Sequence, residues 1–461
     1  MTKVSVYSFR KALVFFSKAL IATATLLAFL FVLTEYYPSA LFYYKGNIIL
    51  AFLYFLVFFI YATTYGCFKI GILRLRELIF SYVLAVTLTN FITYIMLSLI
   101  SETMLNPLPL LALCVVQIAA GAGLYVLANK LYFILYPARD TIVICADTRR
   151  DMDIVRRFRQ LRERYNICCV CYESEDYETI LGHIDEYSTV ILGNIDASLR
   201  TRLIAYCFES NKRLFITPTM EDIMLNNAHE THIGDSLAYL CKNRTFTMEQ
   251  IAIKRVMDIL VSFAGLVITL PVMIFTAIAI KANDGGKVFY KQKRLTRNGH
   301  AFMLIKFRSM IEQAETDCGA CNALKQDDRI TPVGRFIRAA RIDELPQLIN
   351  ILKGEMSLVG PRPERPEMYE KYCLIFPQFS YRLKVKAGLT GYAQIYGKYN
   401  TPFEDKVKMD LLYIENSSLL MDLRLLFYTI KVIFMKESSE GFDGKDSAHA
   451  QSVKNKGMED S

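Results

Sequence analysis

Long apolar runs fill the N-terminal third of this 461-residue chain. Each run is close to the roughly 20 residues that an α-helix needs to cross a hydrocarbon core about 30 Å thick. The four runs are Ala12–Thr34, Ile48–Tyr65, Leu78–Ile100 and Leu108–Leu127. The pattern predicts a bundle of four transmembrane helices within residues 1–136. Four buried helices of a soluble protein are the alternative, which these lengths do not favour.

Between residues 137 and 245 the pattern changes to short β-branched runs that alternate with amphipathic segments. The apolar runs are TIVICA, NICCVCY, TVILGN and RLFITP. Strands that alternate with helices predict a parallel sheet with crossover helices, as in a Rossmann-like α/β domain. No Gly-x-Gly follows the first run, so a dinucleotide site is not expected. We expect a scaffold or dimerisation role, with regulatory ligand binding as the alternative.

A fifth apolar block, Val256–Ile280, contains Pro271 near its middle. Proline removes a backbone hydrogen bond, so we expect a structural break of the helix at Pro271. The block could then span the membrane with a kink, or enter it, bend and return to the same face. Lys254 precedes the block and Lys281 follows it, and basic flanks on both sides favour the re-entrant helix.

The loop charges predict the orientation of the membrane part. Basic residues gather in the N-terminal tail, in the second loop and after the fourth run. Because basic loops stay on the cytoplasmic side, we expect both termini and the soluble domains to be cytoplasmic. The net charge of +9 suits an anionic membrane face or phosphate ligands. No aromatic and basic module indicates a nucleic acid partner. The polar residues 438–461 predict a disordered tail.

The thiols and imidazoles of the chain do not predict a metal site by their spacing. Cys318 and Cys321 form a CxxC, but no second pair lies at the spacing of a zinc site. None of the five histidines falls in a metal-binding pattern. We therefore expect unlinked, reduced thiols.

The segment RIDELPQL places two carboxylates, Asp343 and Glu344, next to each other. Apolar residues spaced along one face predict a helix that begins at Asp343, with Pro346 in its first turn. An acidic first turn that caps this helix is the ordinary explanation. Two adjacent carboxylates can also share Mg²⁺, and an aspartate can attack phosphorus to form a covalent intermediate.

Cations lie near this pair in the sequence. In IKFRSM, Lys306 and Arg308 alternate with apolar residues, so a strand would place both cations on one face. Arg338 lies five residues before Asp343. Clustered cations suit the binding of an oxyanion such as phosphate.

Residues 250–437 resemble the catalytic domain of bacterial polyprenyl-phosphate sugar-1-phosphate transferases, the monotopic phosphoglycosyl transferases. The matching segments are KRVMDI, KFRSM, VGRFIR, DELPQLINILKGEMSLVGPRP and KAGLTGYAQIYG. The four N-terminal helices and the α/β domain resemble the long members of this family. These members begin the synthesis of exopolysaccharide, capsule or O-antigen.

The resemblance implies that a sugar 1-phosphate passes from a UDP-sugar, UDP-glucose or UDP-galactose, to undecaprenyl phosphate with release of UMP. Asp343 would be the nucleophile, and Glu344 would bind Mg²⁺ together with it. Phosphate and substrate binding would fall to Lys306, Arg308, Arg338, Arg362 and Asp410. The enzyme would be a multi-pass protein of the bacterial inner membrane, in contact with the lipid bilayer, with its catalytic domain on the cytoplasmic face. We also expect a homodimer.

Two positions depart from the family pattern. The family's Arg-Val-Gly is Arg294-Leu295-Thr296 here, and the proline of its Arg/Lys-Pro-Gly-Leu/Ile-Thr-Gly is replaced by Ala387. Loss of this proline is expected to loosen a turn.

Two other classes of function stay open at this point. A membrane scaffold or regulator of polysaccharide assembly could retain the fold without catalysis. A transferase that builds glycosidic bonds directly would release a nucleoside diphosphate instead of a monophosphate.

Overall fold

A computed structural model describes residues 3–43, 45–146, 149–241, 246–311, 329–397 and 401–433. The chain divides into two compact units, Met1–Pro218 and Thr219–Ser461. The predicted tail at 438–461 and the CxxC of Cys318 and Cys321 lie outside the described residues.

The four long apolar helices predicted in the N-terminal third are confirmed as helices. They are α1 (Lys3–Tyr36), α2 (Gly46–Tyr65), α3 (Leu75–Ile100) and α4 (Leu108–Leu135). Each contains a stretch that is long and apolar enough to cross a membrane. Many of their apolar side chains are exposed, as expected of helices that face lipid. With a fifth apolar helix in the second unit, these helices indicate a membrane protein.

Inside the bundle, one residue from each helix joins a hydrogen-bonded network. The Gln117 amide nitrogen of α4 donates to the Thr25 carbonyl of α1 and to the Tyr54 hydroxyl of α2, both at 2.9 Å. Tyr54 donates to Asn90 of α3 at 3.1 Å, and Asn90 donates back to Gln117 at 2.9 Å. All four residues are buried. The network therefore fixes how the four helices pack against one another.

The predicted parallel sheet of the first unit is also confirmed. Its strands are β1 (Arg139–Cys145), β2 (Tyr165–Tyr172), β3 (Thr189–Leu192) and β4 (Arg213–Ile216). They are paired in parallel in the order β2-β1-β3-β4. The crossovers contain α5 (Arg149–Arg159), α6 (Tyr177–Glu186) and α7 (Ala197–Glu209). Ile142, Ile144 and Val190 form the centre of an apolar core beneath them.

The second unit begins before residue 245, the predicted end of the α/β domain. Its first elements are α8 (Met220–Leu225) and the hairpin of β5 (His229–Ile233) and β6 (Ser236–Leu240). On α8, Met220 and Ile223 pack in a core with Phe379, Val407 and Leu411 of the same unit.

Pro271 does not interrupt the fifth apolar helix. Helix α9 runs without a break from Met248 to Asp284 and contains Pro271. The expected break at this residue is therefore wrong. A proline removes a single N–H from the ladder, and thirty-six other residues of the 37-residue helix surround it. Re-entry into the membrane stays a prediction.

Helix α9 contacts the rest of its unit along its length. Near its start, Asp258 accepts hydrogen bonds from the Ser357 hydroxyl at 3.1 Å and from the Leu358 N–H at 3.0 Å. In its second half, Met273 and Ile280 pack in a second apolar core of this unit. Both halves of the helix are thus attached to one folded unit.

The remaining elements build the domain that carries the carboxylate pair. They are β7 (Phe289–Leu295), β8 (Ala301–Phe307), α10 (Pro332–Ala339), α11 (Gln347–Lys353), β9 (Ser357–Val359), α12 (Pro366–Ile375), β10 (Gly388–Thr390), α13 (Tyr392–Tyr396), α14 (Phe403–Glu415) and α15 (Leu419–Ile433). Strands β7 and β8 are antiparallel, and β9 and β10 are parallel. Leu304, Ile351 and Leu358 pack in the core between them.

Candidate active site

Asp343 and Glu344 lie in a single 3₁₀ turn, Ile342–Glu344, between α10 and α11. Helix α11 begins only at Gln347, so the predicted helix start at Asp343 is wrong by four residues. The chain turns sharply before the pair because Arg341 adopts a left-handed backbone conformation with φ of 54°. Such a conformation is uncommon for a residue with a side chain, and it directs the 3₁₀ turn away from α10.

Three cations surround the Glu344 carboxylate. Its Oε1 atom lies 3.0 Å from Arg362 Nη2 and 3.5 Å from Lys306 Nζ, and its Oε2 atom lies 3.9 Å from Arg341 Nη1. Burial of Glu344 disfavours its charged form, but the attraction of Arg362, Lys306 and Arg341 outweighs burial and lowers the pKa to about 2. Glu344 is therefore the ionised centre of the cluster.

Asp343 is placed differently. Within the described residues, its carboxylate takes part in no hydrogen bond or ion pair, although Lys306 and Arg338 act on it through charge. Burial and the negative charge of the adjacent Glu344 raise the pKa of Asp343 to about 6. The positive charges of Lys306 and Arg338 oppose this shift. The two carboxylates are thus chemically unequal. Glu344 is held by cations, and Asp343 is left available to react.

The structure brings some predicted cations to this pair and not others. Lys306 lies at the end of β8 and contacts Glu344. Arg308 lies just beyond the strand, is buried, and pairs with Asp284 at the end of α9. Arg338 lies in the last turn of α10 and reaches Asp343 only through its charge. Arg308 therefore makes no direct contact with the pair in this arrangement.

The loop that carries Arg362 is held from both sides by other arginines. Arg382 Nη2 donates to the Arg362 carbonyl at 2.9 Å, and Arg294 Nη1 donates to the Pro363 carbonyl at 3.1 Å. The Glu364 carboxylate lies 3.7 Å from each of these two guanidinium groups. These contacts fix the backbone on which the half-exposed Arg362 side chain projects toward Glu344.

Asp410 lies beneath this loop and not in the open part of the site. Its carboxylate is 1% exposed and accepts a hydrogen bond from Arg382 Nε at 2.7 Å. Burial raises its pKa, and the Arg382 charge opposes this shift. The sequence analysis named Asp410 as a site residue but did not place Arg382, Arg341 or Arg294 in the site. The positions of these three arginines follow no recognisable pattern in the sequence. They become apparent only in the folded domain, from the turn at Arg341 and from the contacts of the other two with the Arg362 loop.

Comparison with known proteins adds to this geometry. Residues 249–436 match the family described as bacterial sugar transferase. The chain is 41% identical over 184 residues to the UDP-N-acetylgalactosamine-undecaprenyl-phosphate N-acetylgalactosaminephosphotransferase of Aeromonas hydrophila. The aligned residues are 39% of this chain and 43% of that protein. The chain is 34% identical over 203 residues to the exopolysaccharide production protein ExoY of Rhizobium meliloti, covering 40% of this chain and 87% of that protein. The chain belongs to the bacterial sugar transferase family.

A third relative in this family is the UDP-glucose:undecaprenyl-phosphate glucose-1-phosphate transferase of Klebsiella pneumoniae. It is 38% identical over 191 residues, which are 40% of this chain and 41% of that protein. The match therefore spans less than half of the Aeromonas and Klebsiella relatives. All of the site residues described above lie within the part that matches the sugar transferase family.

The two departures from the family pattern meet in this member of the sugar transferase family. The Ala387 N–H donates to the Thr296 side-chain hydroxyl at 3.1 Å, and both residues are buried. A proline at 387 would have no N–H to donate, and a glycine at 296 would have no hydroxyl to accept. The hydrogen bond therefore depends on both departures. The loosened turn expected from the missing proline is thus held by a bond that the proline could not make.

Changing both residues to the family pattern is expected to have non-additive effects on the free energy of unfolding. Thr296→Gly leaves the buried Ala387 N–H without its partner and should cost about 1–3 kcal/mol of unfolding free energy. Ala387→Pro removes the same bond from the other side. The double variant should therefore be more stable than the sum of the two losses by about 1 kcal/mol, measured by thermal unfolding in detergent. In the control cycle, Ala387→Pro with Thr331→Gly, the losses should add.

Proposed function

We propose that this protein transfers a sugar 1-phosphate from a nucleoside diphosphate sugar to a polyprenyl phosphate through a covalent intermediate on Asp343. The observation that carries the proposal is the division within the pair. Glu344 is bound by cations, whereas the neighbouring Asp343 carboxylate has no hydrogen bond or ion pair within the described residues. A nucleophile must have a free oxygen, and the cations beside it suit a bound diphosphate.

In the first step, an Asp343 oxygen attacks the phosphorus that is linked to the sugar. The bond between this phosphorus and the bridging oxygen breaks, and the bridging oxygen leaves with the nucleoside monophosphate. The sugar phosphate is then joined to Asp343 as an acyl phosphate. Raising the pKa of Asp343 to about 6 makes its carboxylate more basic than an ordinary aspartate, yet leaves it largely ionised near neutral pH.

In the second step, an oxygen of the lipid phosphate attacks the same phosphorus. The bond between phosphorus and Asp343 breaks, which frees the carboxylate and forms a polyprenyl diphosphate sugar. Charge and position are the main requirements of phosphoryl transfer, so surrounding cations can serve both steps.

The cations have separate tasks in this proposal. Lys306 and Arg362 contact Glu344 and lie beside Asp343, where they would stabilise charge on the transferred phosphoryl group. Arg338 would bind a phosphate oxygen from the α10 side. Arg308 would bind phosphate only after its ion pair with Asp284 opens. Arg382 and Asp410 would position Arg362 through its backbone and would not touch the substrate.

The two carboxylates also fit Mg²⁺, whose preferred ligands are oxygen atoms. Asp343 would offer an oxygen without displacing a partner, whereas Glu344 would have to share its oxygens with the arginines and lysine that already contact it. Bound there, the ion would neutralise negative charge on the diphosphate. Glu344 would hold the metal, and its cation partners would hold Glu344 in place.

The relatives support UDP-sugars and undecaprenyl phosphate as the substrate classes. Their names include N-acetylgalactosamine, galactose and glucose as the transferred sugar. Since one catalytic domain serves several sugars among the relatives, we propose a hexose, with UDP-glucose and UDP-galactose as the first donors to test. The proposed role is the first membrane step in the synthesis of a surface polysaccharide.

We further propose that the apolar middle of α9 is embedded in the bilayer from the cytoplasmic face, while both ends of the helix stay attached to the folded unit on that face. Its two halves contact the same folded unit, through Asp258 at one end and Asp284 at the other. Between them, Val267, Ile268 and Leu270 are exposed, as lipid-facing side chains would be. A site on this face lets a water-soluble donor and a lipid acceptor meet. We also propose that the protein forms a homodimer in the inner membrane.

The test is the identity of the nucleotide that is released. Purified full-length protein would be incubated with Mg²⁺, undecaprenyl phosphate and a panel of UDP-sugars. Release of UMP with one sugar is expected, and it should stop when a chelator removes the metal. Release of UDP would instead support direct glycosyl transfer and would contradict the role of Asp343. If no nucleotide is released with any donor in the presence of active lipid acceptor, the result would favour a membrane scaffold without catalysis.

A further inference from the structure

A second cluster of metal-binding side chains lies in the first unit, far in sequence from the carboxylate pair. One ligand atom each from Cys171, Glu175 and His183 lies within 4.8 Å of the other two. Cys171 is buried, and the other two side chains are partly buried. The sequence analysis found no metal pattern around the histidines. The three residues come together only in the folded domain, because their spacing in the sequence matches no short metal-binding motif.

The local structure explains why these side chains meet. Cys171 lies on β2, and the chain turns after Tyr172 into α6, which carries His183 in its last turn. The Tyr172 N–H donates to Glu175 Oε1 at 2.9 Å, which holds the Glu175 carboxylate back toward the strand. Ile180 and Ile184 are fully buried and fix the same helix against the sheet. The ligand atoms are thus supported by the fold on both elements.

A fourth donor is close to this cluster. The Cys169 sulfur lies 3.6 Å from the Cys171 sulfur. The two cysteines are two residues apart on one strand, so their side chains point to the same face. Together, the two thiols, the imidazole and the carboxylate offer a metal ion two sulfur atoms, one nitrogen atom and one oxygen atom.

We propose that Cys171, Glu175 and His183 form a zinc site that joins β2 to α6, with water or the neighbouring Cys169 in the fourth position. Zinc takes four ligands in a tetrahedral arrangement and accepts sulfur, nitrogen and carboxylate oxygen. Magnesium and calcium prefer oxygen and would not select the thiols. Because the ligands come from a strand and from the helix that follows it, the ion ties one crossover of the α/β sheet together. This site is independent of the proposed transferase reaction.

The site would be tested by metal content and by spectroscopy, neither of which depends on transferase activity. Full-length protein would be purified under reducing conditions, supplied with zinc and washed free of excess ion. We expect about one bound zinc per chain. Replacement of zinc by Co²⁺ should produce the sulfur-to-cobalt charge-transfer absorption of a tetrahedral site with thiolate ligands.

Matched variants assign the ion to these residues. His183→Ala and Cys171→Ser should each weaken zinc binding by at least about tenfold. Cys168→Ser is the matched control, because Cys168 is exposed on the same strand and its thiol contacts Asp140. It should bind zinc as the wild type does. Cys318→Ser with Cys321→Ser should do the same.

Three outcomes would overturn the proposal. Wild-type protein that binds no zinc under these conditions would show that the thiols, imidazole and carboxylate are satisfied without an ion. Zinc retained at full affinity by both His183→Ala and Cys171→Ser would place the ion elsewhere. Zinc lost only in the Cys318 and Cys321 variant would assign it to that pair. Glu175→Gln provides a milder change if the other variants fail to fold, and it too should weaken binding.

Discussion

Asp343→Asn is expected to abolish the release of nucleoside monophosphate, with a loss of about 10⁴-fold or more in turnover. The amide keeps nearly the same shape but has no negative oxygen with which to attack phosphorus. The surrounding cations remain paired with Glu344, so donor binding should be far less affected than turnover. The measurement is single-turnover release of UMP from the donor sugar identified in the panel.

A labelling experiment distinguishes a nucleophile from a residue that merely binds metal. In the absence of lipid acceptor, a donor labelled in the sugar-linked phosphate should transfer its label to the wild-type chain and not to Asp343→Asn. Glu370→Gln is the control, because Glu370 is exposed on α12 and carries a comparable change of charge. Labelling of the Asp343→Asn chain at the wild-type level would rule out Asp343 as the attacking group.

Asp410→Ala is expected to cause the largest loss of stability. It leaves the Arg382 guanidinium, 8% exposed, without the carboxylate that accepts its Nε hydrogen bond. Removing one partner of a buried ion pair costs up to about 3–5 kcal/mol. The Glu364 carboxylate, 3.7 Å from Arg382 Nη1, compensates only part of the charge that stays buried. The measurement is denaturant unfolding of the detergent-solubilised protein, followed by turnover at a temperature at which the variant is folded.

A double replacement separates stability from the positioning of Arg362. Arg382→Met with Asp410→Leu removes both charges and should recover most of the lost stability. It also removes the donor to the Arg362 carbonyl, so turnover should stay about tenfold or more below the wild type. Full activity of a stable double variant would show that the Arg362 loop does not depend on Arg382.

The sequence was most informative where the chain itself dictates the contact. Asp343 and Glu344 are adjacent, so their proximity needed no fold, and apolar runs of membrane length predicted the four helices directly. Arg308 shows the limit of this reasoning. Alternation along a strand placed it with Lys306, but β8 ends at Phe307 and Asp284 lies close enough to pair with it. Which acid captures a cation depends on long-range packing.

The same limit applies to the second layer of the site. Arg382 contacts Asp410 across 28 residues and Arg362 across 20, and neither separation has a meaning before the chain is folded. The zinc ligands behave similarly, since a helix and a strand must pack before His183 reaches Cys171. The prediction of a helix break at Pro271 was wrong for the opposite reason. A strong local rule predicted a break, but the long apolar helix around it tolerates one missing N–H.

The hydrogen-bonded network inside the four-helix bundle has a consequence for how the protein is made. Until all four helices are present, at least one of Thr25, Tyr54, Asn90 and Gln117 faces lipid with an unmatched donor or acceptor. A partly inserted chain therefore exposes a polar group to lipid until all four helices have assembled. Assembly of the bundle is thus complete only when the last helix joins it, which favours insertion of all four helices as one set.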